Sequence, residues 1–334
     1  MKEEMSVKKI AELAGVSVAT VSRVINQNGR FSKETEERVR KIIEDNHYIP
    51  NHFAKGLRTN QSNTIGIIVP DITNEYFSKL ILVIQMALFE AGYQTVICNT
   101  NESKEIEEKC LYQLKSQNVN GIIYMNGSKS VEKDIIQEIS TIYIDRSPSE
   151  QKRSNVAYVS SDNFQGGELA ALELIEKGCR NMAVIMERQG TYVAGERLRG
   201  FVTACRKHSI SLEPDLILTP KDMSYEEGYR VVKELLQKGV QIDGIFCETD
   251  WLASGALSAL KDSHIQVPDE VKLIGFDNIS ISYLCRQPFT TIAQDVTAIG
   301  KYVADQIQTM IAEGTRVRTS RVSFPVELIK RETT

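Results

Sequence analysis

Val7-Lys8-Lys9-Ile10-Ala11-Glu12-Leu13-Ala14-Gly15-Val16-Ser17-Val18-Ala19-Thr20-Val21-Ser22-Arg23-Val24-Ile25-Asn26 is the stretch from which the architecture of this chain is read. Ile10, Leu13 and Ala14 share one face at helical spacing; Gly15-Val16-Ser17 interrupts it, and Val21, Val24 and Ile25 resume it. Gly15 supplies the turn, since a residue without Cβ enters left-handed backbone freely, and Ser17 is placed to cap the second helix. Small Ala11 lets the two helices cross closely. A third helix is expected from Lys33 to Asn46, capped by Ser32, with Val39, Ile42 and Ile43 turned inward. Two short helices around a tight turn make a helix-turn-helix, whose second helix enters the DNA major groove with its N-terminal residues at base edges. The same periodicity also suits a plain three-helix bundle.

The order of residues goes further. Together with Tyr48-Ile49-Pro50-Asn51 and Ala54, and without a gap through Leu57, the string resembles the DNA-binding head of the LacI/GalR repressor family. The resemblance implies that Val18 and Ala19 select the operator; being small and apolar, they suit thymine methyls. It implies phosphate contacts for Ser17, Thr20 and Ser22. Arg23 is the candidate for guanine, whose O6 and N7 a planar guanidinium meets together, with a phosphate as its other possible partner.

After Pro50, the segment 51–58 carries no breaker until Thr59-Asn60-Gln61-Ser62-Asn63. A helix this short is marginal alone in water. In the family the segment folds on the operator as a hinge helix paired with its twin; the resemblance places Asn51 and Ala54 on DNA and Leu57 as the minor-groove wedge that unstacks a base step. Gly56 lowers intrinsic helicity, making hinge folding more dependent on DNA. The boundaries expected are 1–49 for the head, 50–62 for hinge and linker, and 63–334 for the body.

Charge supports the division. Residues 1–60 hold eleven Lys/Arg against eight Asp/Glu, an excess of +3; the other 274 hold 29 against 36, or −7. A basic head on an acidic body fits a nucleic-acid reader joined to a domain with another task. No apolar run approaches the roughly 18 residues of a membrane span, and Met1-Lys2-Glu3-Glu4-Met5 opens no signal peptide, so a cytoplasmic, nucleoid-associated protein is expected. The six cysteines never come closer than twelve positions apart, which leaves no C-x-x-C redox or zinc spacing. Dinucleotide, Walker A, H-E-x-x-H and G-x-S-x-G strings are all missing, so no catalytic residue, metal or cofactor is expected. Gly166-Gly167 reads as a tight strand-to-helix turn.

Beyond Asn63, apolar runs (Ile65–Val69, Thr95–Ile97, Gly121–Tyr124, Thr141–Ile144, Met182–Ile185, Gly244–Phe246, Leu273–Phe276) alternate with six amphipathic stretches of helical length. Such alternation argues parallel sheets with helices on both faces, and there are too many strands for one small domain. Two doubly wound lobes resemble the periplasmic sugar-binding fold that the LacI/GalR body shares. Family-style crossovers near Ser160, Pro288 and Arg318 would make an N-lobe of about 63–160 and 289–318 and a C-lobe of about 161–288 and 319–334. Open α/β sheets bind ligands at strand C-termini. There stand Asn74, Tyr76, Phe77, Asp145, Arg146, Arg197, Thr249, Asp277 and Gln294, a set similar to the sugar contacts of ribose-binding proteins and sugar-responsive repressors. Thr249 replaces an amide common in ribose binders, which turns the expectation away from ribose itself.

The expected function is a repressor of a carbohydrate operon, released from a pseudo-palindromic double-stranded operator by a small sugar. A homodimer is expected because one recognition helix reads few base pairs, and Val326–Thr334 holds no heptad run that would join dimers into tetramers. The alternative within the family is a catabolite-control-type regulator activated by a phosphocarrier protein corepressor. A transport-type sugar-binding protein is excluded by the head, and an enzyme by the missing motifs.

Overall fold

The computed structural model describes residues 5–48, 62–125, 136, 138–145, 155–187, 192–314 and 319–334. Asn51, Ala54 and Leu57 of the expected hinge, and Arg146, lie outside the described residues. Packing divides the chain into two units, residues 1–62 and 63–334.

In the first unit α1 (Val7–Ala14), α2 (Val18–Asn26) and α3 (Lys33–Asp45) follow one another. Each begins at a serine whose hydroxyl oxygen accepts an N–H of the first turn: Ser6 from Lys9, Ser17 from Thr20 and Ser32 from Thr35. Gly15, at φ 65°, closes α1 in left-handed backbone. The core is Ile10, Ala11, Ala14, Val21, Val24 and Val39. Leu13, expected on the inner face, is half exposed instead, and small Ala11 is buried with Ile10 and Ala14.

The second unit holds two six-stranded sheets, each with a parallel core. The first contains β1 (Thr64–Val69), β2 (Gln94–Asn99), β3 (Gly121–Met125), β4 (Ser140–Ile144), β5 (Val156–Ser161) and β11 (Ser320–Phe324), ordered β11-β5-β4-β3-β1-β2. The second contains β6 (Met182–Ile185), β7 (Ile217–Leu218), β8 (Gly244–Cys247), β9 (Lys272–Asp277), β10 (Thr290–Gln294) and β12 (Val326–Ile329), ordered β12-β10-β9-β8-β6-β7. Helices α4 (Glu75–Glu90), α5 (Lys104–Ser116), α6 (Asn163–Glu176), α7 (Tyr192–Lys207), α8 (Tyr225–Gln237), α9 (Asp250–Lys261), α10 (Ile281–Leu284) and α11 (Val296–Glu313) link the strands.

Two crossovers differ from expectation. Thr290–Gln294 pairs with β9, so the chain returns to the first lobe after Gln294 and not at Pro288. Ser320–Phe324 pairs with β5 and Val326–Ile329 with β10, which moves the last crossover from Arg318 to Pro325. Proline, which has no N–H to give a ladder, stands between two strands of different sheets.

Gly166 and Gly167 are not a turn; both lie inside α6. A Cβ on Gly167 would overlap the carbonyl oxygen of Arg197, and one on Gly200 of α7 would overlap that of Phe164. The pair lets α6 and α7 cross backbone against backbone, which seats the start of α7 against the site described next. Gly167→Ala is expected to destabilise the body by about 1–3 kcal/mol or more, read as a lower urea midpoint, because backbone rather than a movable side chain must give way. An unchanged midpoint would show that the crossing can open.

Candidate functional site

In the head, Val18, Ala19, Ser22 and Arg23 stand together on α2 and, with Asn28 and Gly29 beyond its end, form one concave face. Val18, Ala19 and Arg23 are exposed. Ser17 and Thr20 are held differently: their hydroxyls lie 2.9 Å apart, and Ser17 Oγ also accepts the Thr20 N–H, so this pair shapes the helix start. Asn28 was not foreseen, since it follows the helix instead of repeating on its face. A small apolar pair, a hydroxyl and a guanidinium on one helix face can meet base edges and phosphates.

In the body, a cavity of about 850 Å³ gathers residues from strand ends of both sheets. The first sheet contributes Asn74, Tyr76 and Phe77 beyond β1 and Asp145 beyond β4; the second contributes Glu187 beyond β6, Glu248 beyond β8, Asp277 at the end of β9, and Arg197 from α7. Of the residues expected here, Asn74, Tyr76, Phe77, Asp145, Arg197, Thr249 and Asp277 line the wall. Gln294 stands behind it: its Nε2 donates to Asp277 Oδ1 at 2.7 Å, and its Oε1 accepts from Ser161 Oγ at 2.6 Å. Thr249 and Asn74 also cap helices, accepting the N–H groups of Leu252 and Tyr76.

Glu187, Glu248 and Trp251 were missed. Glu248 carried a signal that could have found it, a carboxylate directly after an apolar strand, as at Asp145 and Asp277. Trp251 sits on the exposed start of α9, where periodicity says nothing of a cleft.

The buried groups form one connected network. Tyr76 donates to Asp145 Oδ2 at 3.0 Å, while Oδ1 accepts from the Ser161 N–H at 3.3 Å and Asn163 Nδ2 at 3.4 Å. Asn163 Oδ1 accepts from Arg197 Nε at 2.9 Å, and Arg197 Nη1 donates to the Glu248 carbonyl at 2.6 Å. The guanidinium lies over the Phe276 ring, 3.4 Å from its centroid, with Nη2 3.9 Å from Asp277 Oδ1. Asp145 and Asp277 adopt positive φ, 54° and 105°. Such backbone is costly for a residue with a Cβ and persists where surrounding contacts hold it, a pattern found at binding sites.

Burial pushes the Asp277 carboxyl up to about 7, against the pull of Arg197 and the Gln294 hydrogen bond and with the added push of Asp145 and Glu248. Burial also raises Asp145 and Glu248, and it raises Tyr76, whose phenol faces the Asp145 charge. A carboxyl raised on folding stabilises the fold fully below its unfolded value of about 4, and this share is lost as pH climbs through about 7. Asp277→Asn should therefore flatten the fall in stability between those pH values, followed by urea midpoint; a slope as steep as in the parent would contradict it.

Residues 6–51 match the sequence model of the lacI family of bacterial regulatory proteins, and residues 171–334 that of a periplasmic binding protein-like domain. The ribose operon repressor of Halalkalibacterium halodurans is 32% identical over 329 residues, covering 98% of this chain and 97% of that protein. A periplasmic binding protein/LacI transcriptional regulator from Alkaliphilus metalliredigens, solved with D-xylulofuranose, is 30% identical over 81% of this chain and 99% of its own, with a TM-score of 0.71. The lac repressor dimer bound to operator and the anti-inducer ONPF shares the fold, with a TM-score of 0.89 over 99% of both chains at 24% identity. A helix-turn-helix head, an α/β body with a cleft between two sheets, and similarity to a repressor along nearly the whole length lead to one conclusion: this chain belongs to the LacI family of bacterial transcriptional regulators.

Proposed function

We propose that this regulator represses a carbohydrate operon as a homodimer and leaves its operator when a small sugar fills the body's cleft. The cleft carries the proposal. Tyr76, Phe77 and Trp251 offer aromatic surface for a sugar ring, and Arg197, Asp145 and Asp277 offer charged donors and acceptors for vicinal hydroxyls. The relatives named for ribose and bound to D-xylulofuranose point to the same ligand class.

The network supplies a route from ligand to lobe movement. Asp277 reaches Ser161 through Gln294, so a ligand on Asp277 pulls on β5 and β10, the strands next to two crossovers. The Ser280 N–H of the second lobe donates to the Glu75 carboxylate of the first at 3.0–3.1 Å, a cross-lobe contact that closure would tighten or break. Lobe rotation would change the spacing at which the dimer presents its two heads to the operator. Dimerisation is assigned to α4, where Leu82, Met86 and Phe89 stand 57%, 53% and 72% exposed at spacings of four and three, opposite the buried Leu80, Ile84 and Leu88. A second copy is the occupant because a two-fold protein reads a two-fold site.

Thermal unfolding of the full chain with a panel of monosaccharides and disaccharides tests the cleft. A ligand that binds only the folded state raises Tm by mass action, and 100 times Kd gives about 2.7 kcal/mol of added stability. At least one sugar should do so. A panel without any shift removes the sugar effector.

A further inference from the structure

The cavity is long as well as deep. In the second sheet its lining follows four neighbouring strands: Asp277 ends β9, Glu248 follows β8, Glu187 follows β6, and Lys221 lies in the loop beyond β7. In the first sheet Asp145 follows β4, Asp71 follows β1, and Asn101 and Glu102 lie beyond β2, again across four positions in the strand order. Neighbouring strands lie about 4.8 Å apart, so three steps make a groove of about 14 Å on either side. A pyranose ring, built from bonds of about 1.5 Å, is only about 5 Å from O1 to O4. Lobe closure would narrow the gap between the sheets and leave this length, which strand spacing sets. The volume of about 850 Å³ agrees, standing in the upper part of the range of about 300–1,000 Å³ for drug-sized ligands.

The two ends of the groove differ. At the β4 and β9 end the buried Asp145, Arg197 and Asp277 form a compact set of donors and acceptors, tied through Tyr76 to the Phe77 ring, 5.3 Å away between centroids. Outside that network, Tyr225 and Trp251 line the same cavity from the starts of α8 and α9. Those helix starts are locked together: a Cβ on Gly228 would overlap the Leu252 carbonyl oxygen, and one on Gly255 would overlap that of Tyr225. Tyr225 also closes the loop that leaves β7, which ties the aromatic pair to the far end of the groove. Trp251 keeps 38% of its surface exposed, so a broad ring face and an indole N–H stand ready in a wall fixed by backbone contact, at little ordering cost. Asn101, Glu102, Lys221 and Asp222 are exposed at this end and supply further polar groups.

We infer that the effector is built of two or more linked sugar units, the terminal unit on Asp145, Arg197 and Asp277 and the next on Trp251 and Tyr225. This deepens the sugar-effector proposal and rests on it. Strands β2 and β7 are both sheet edges, so a longer glycan would leave the groove at that end.

The test titrates matched monosaccharides and disaccharides calorimetrically into the full chain: glucose with maltose and cellobiose, galactose with lactose and melibiose, and xylose with xylobiose. In the series that binds, a disaccharide should bind about tenfold or more tighter than its monosaccharide, the factor that about 1.4 kcal/mol of added contact supplies. Trp251→Ala should lower that ratio to about twofold or less, since the second unit loses its ring face. Trp251→Phe keeps a ring and should retain most of the preference, which separates loss of the aromatic face from damage to the fold. A monosaccharide that binds as tightly as every disaccharide of its series overturns the inference and leaves the sugar effector standing. Binding by no member of any series overturns both. A disaccharide preference that Trp251→Ala leaves unchanged overturns the placement of the second unit.

Discussion

Arg197→Ala should weaken effector binding by about thirtyfold or more while operator affinity stays near that of the parent. Truncating one partner of a buried, hydrogen-bonded charge costs about 2–5 kcal/mol, much of it from the groups left behind. Here those are Asn163 Oδ1, the Glu248 carbonyl and the uncompensated carboxylates of Asp277 and Asp145. Arg197→Lys should lose most of the same affinity, because an ammonium replaces the fork that reaches Asn163 and Glu248 at once. Asp277→Ala should behave similarly, leaving the Gln294 amide behind the wall without its carboxylate partner. The measurement is calorimetric titration with whichever sugar raises Tm, beside anisotropy on operator DNA. Loss of operator binding in all three variants would show that these residues hold the fold together and do not read the ligand.

The second large effect lies on α4. Met86→Glu combined with Phe89→Glu puts two carboxylates on the exposed apolar face without touching Leu80, Ile84 or Leu88 beneath it. Sedimentation should show monomers at micromolar concentration. Operator affinity should fall by about a thousandfold toward non-specific binding, since each monomer then reads half a site. A dimer that persists would move the interface elsewhere on the body.

Much of this was legible in the sequence for physical reasons. The caps Ser17 and Ser32 and the turn at Gly15 are local effects, settled within a few residues of chain. All seven apolar runs became strands, six of them inside the sheets, where parallel strands buried on both faces leave an uninterrupted apolar record; the seventh, β2, lies at a sheet edge. Other strands left no such run: Ser320–Phe324, at an edge, alternates partly buried with exposed residues, Ile217–Leu218 is two residues long, and Val156–Ser161 and Thr290–Gln294 lie inside the sheets but carry serine, threonine and glutamine among their apolar residues. Their absence from the pattern misplaced the crossovers, and α11, eighteen residues of ordinary amphipathic helix, was passed over with them. Gly166-Gly167 misled because a glycine pair serves a turn and a close helix crossing equally well, and only a neighbour distant in sequence, here Arg197, decides between them. At the cleft, residues next to apolar strands could be found. Trp251 could not, because it reaches the wall from a helix start. Gln294 was found but stands one bond behind the wall, a distinction that depends on where Asp277 turns its carboxylate.

The central claim is that sugar and operator oppose each other through one molecule. Its most direct test is the affinity of the full chain for a duplex that it selects itself from random DNA, measured by anisotropy with and without a saturating concentration of the sugar that raises Tm. Linkage requires sugar and operator to weaken each other's binding by the same factor, and a coupling of about 1–3 kcal/mol predicts a Kd for DNA that rises roughly 5- to 150-fold when the sugar is present. A Kd that does not move would separate the cleft from the head, and a Kd that falls would make the ligand a corepressor.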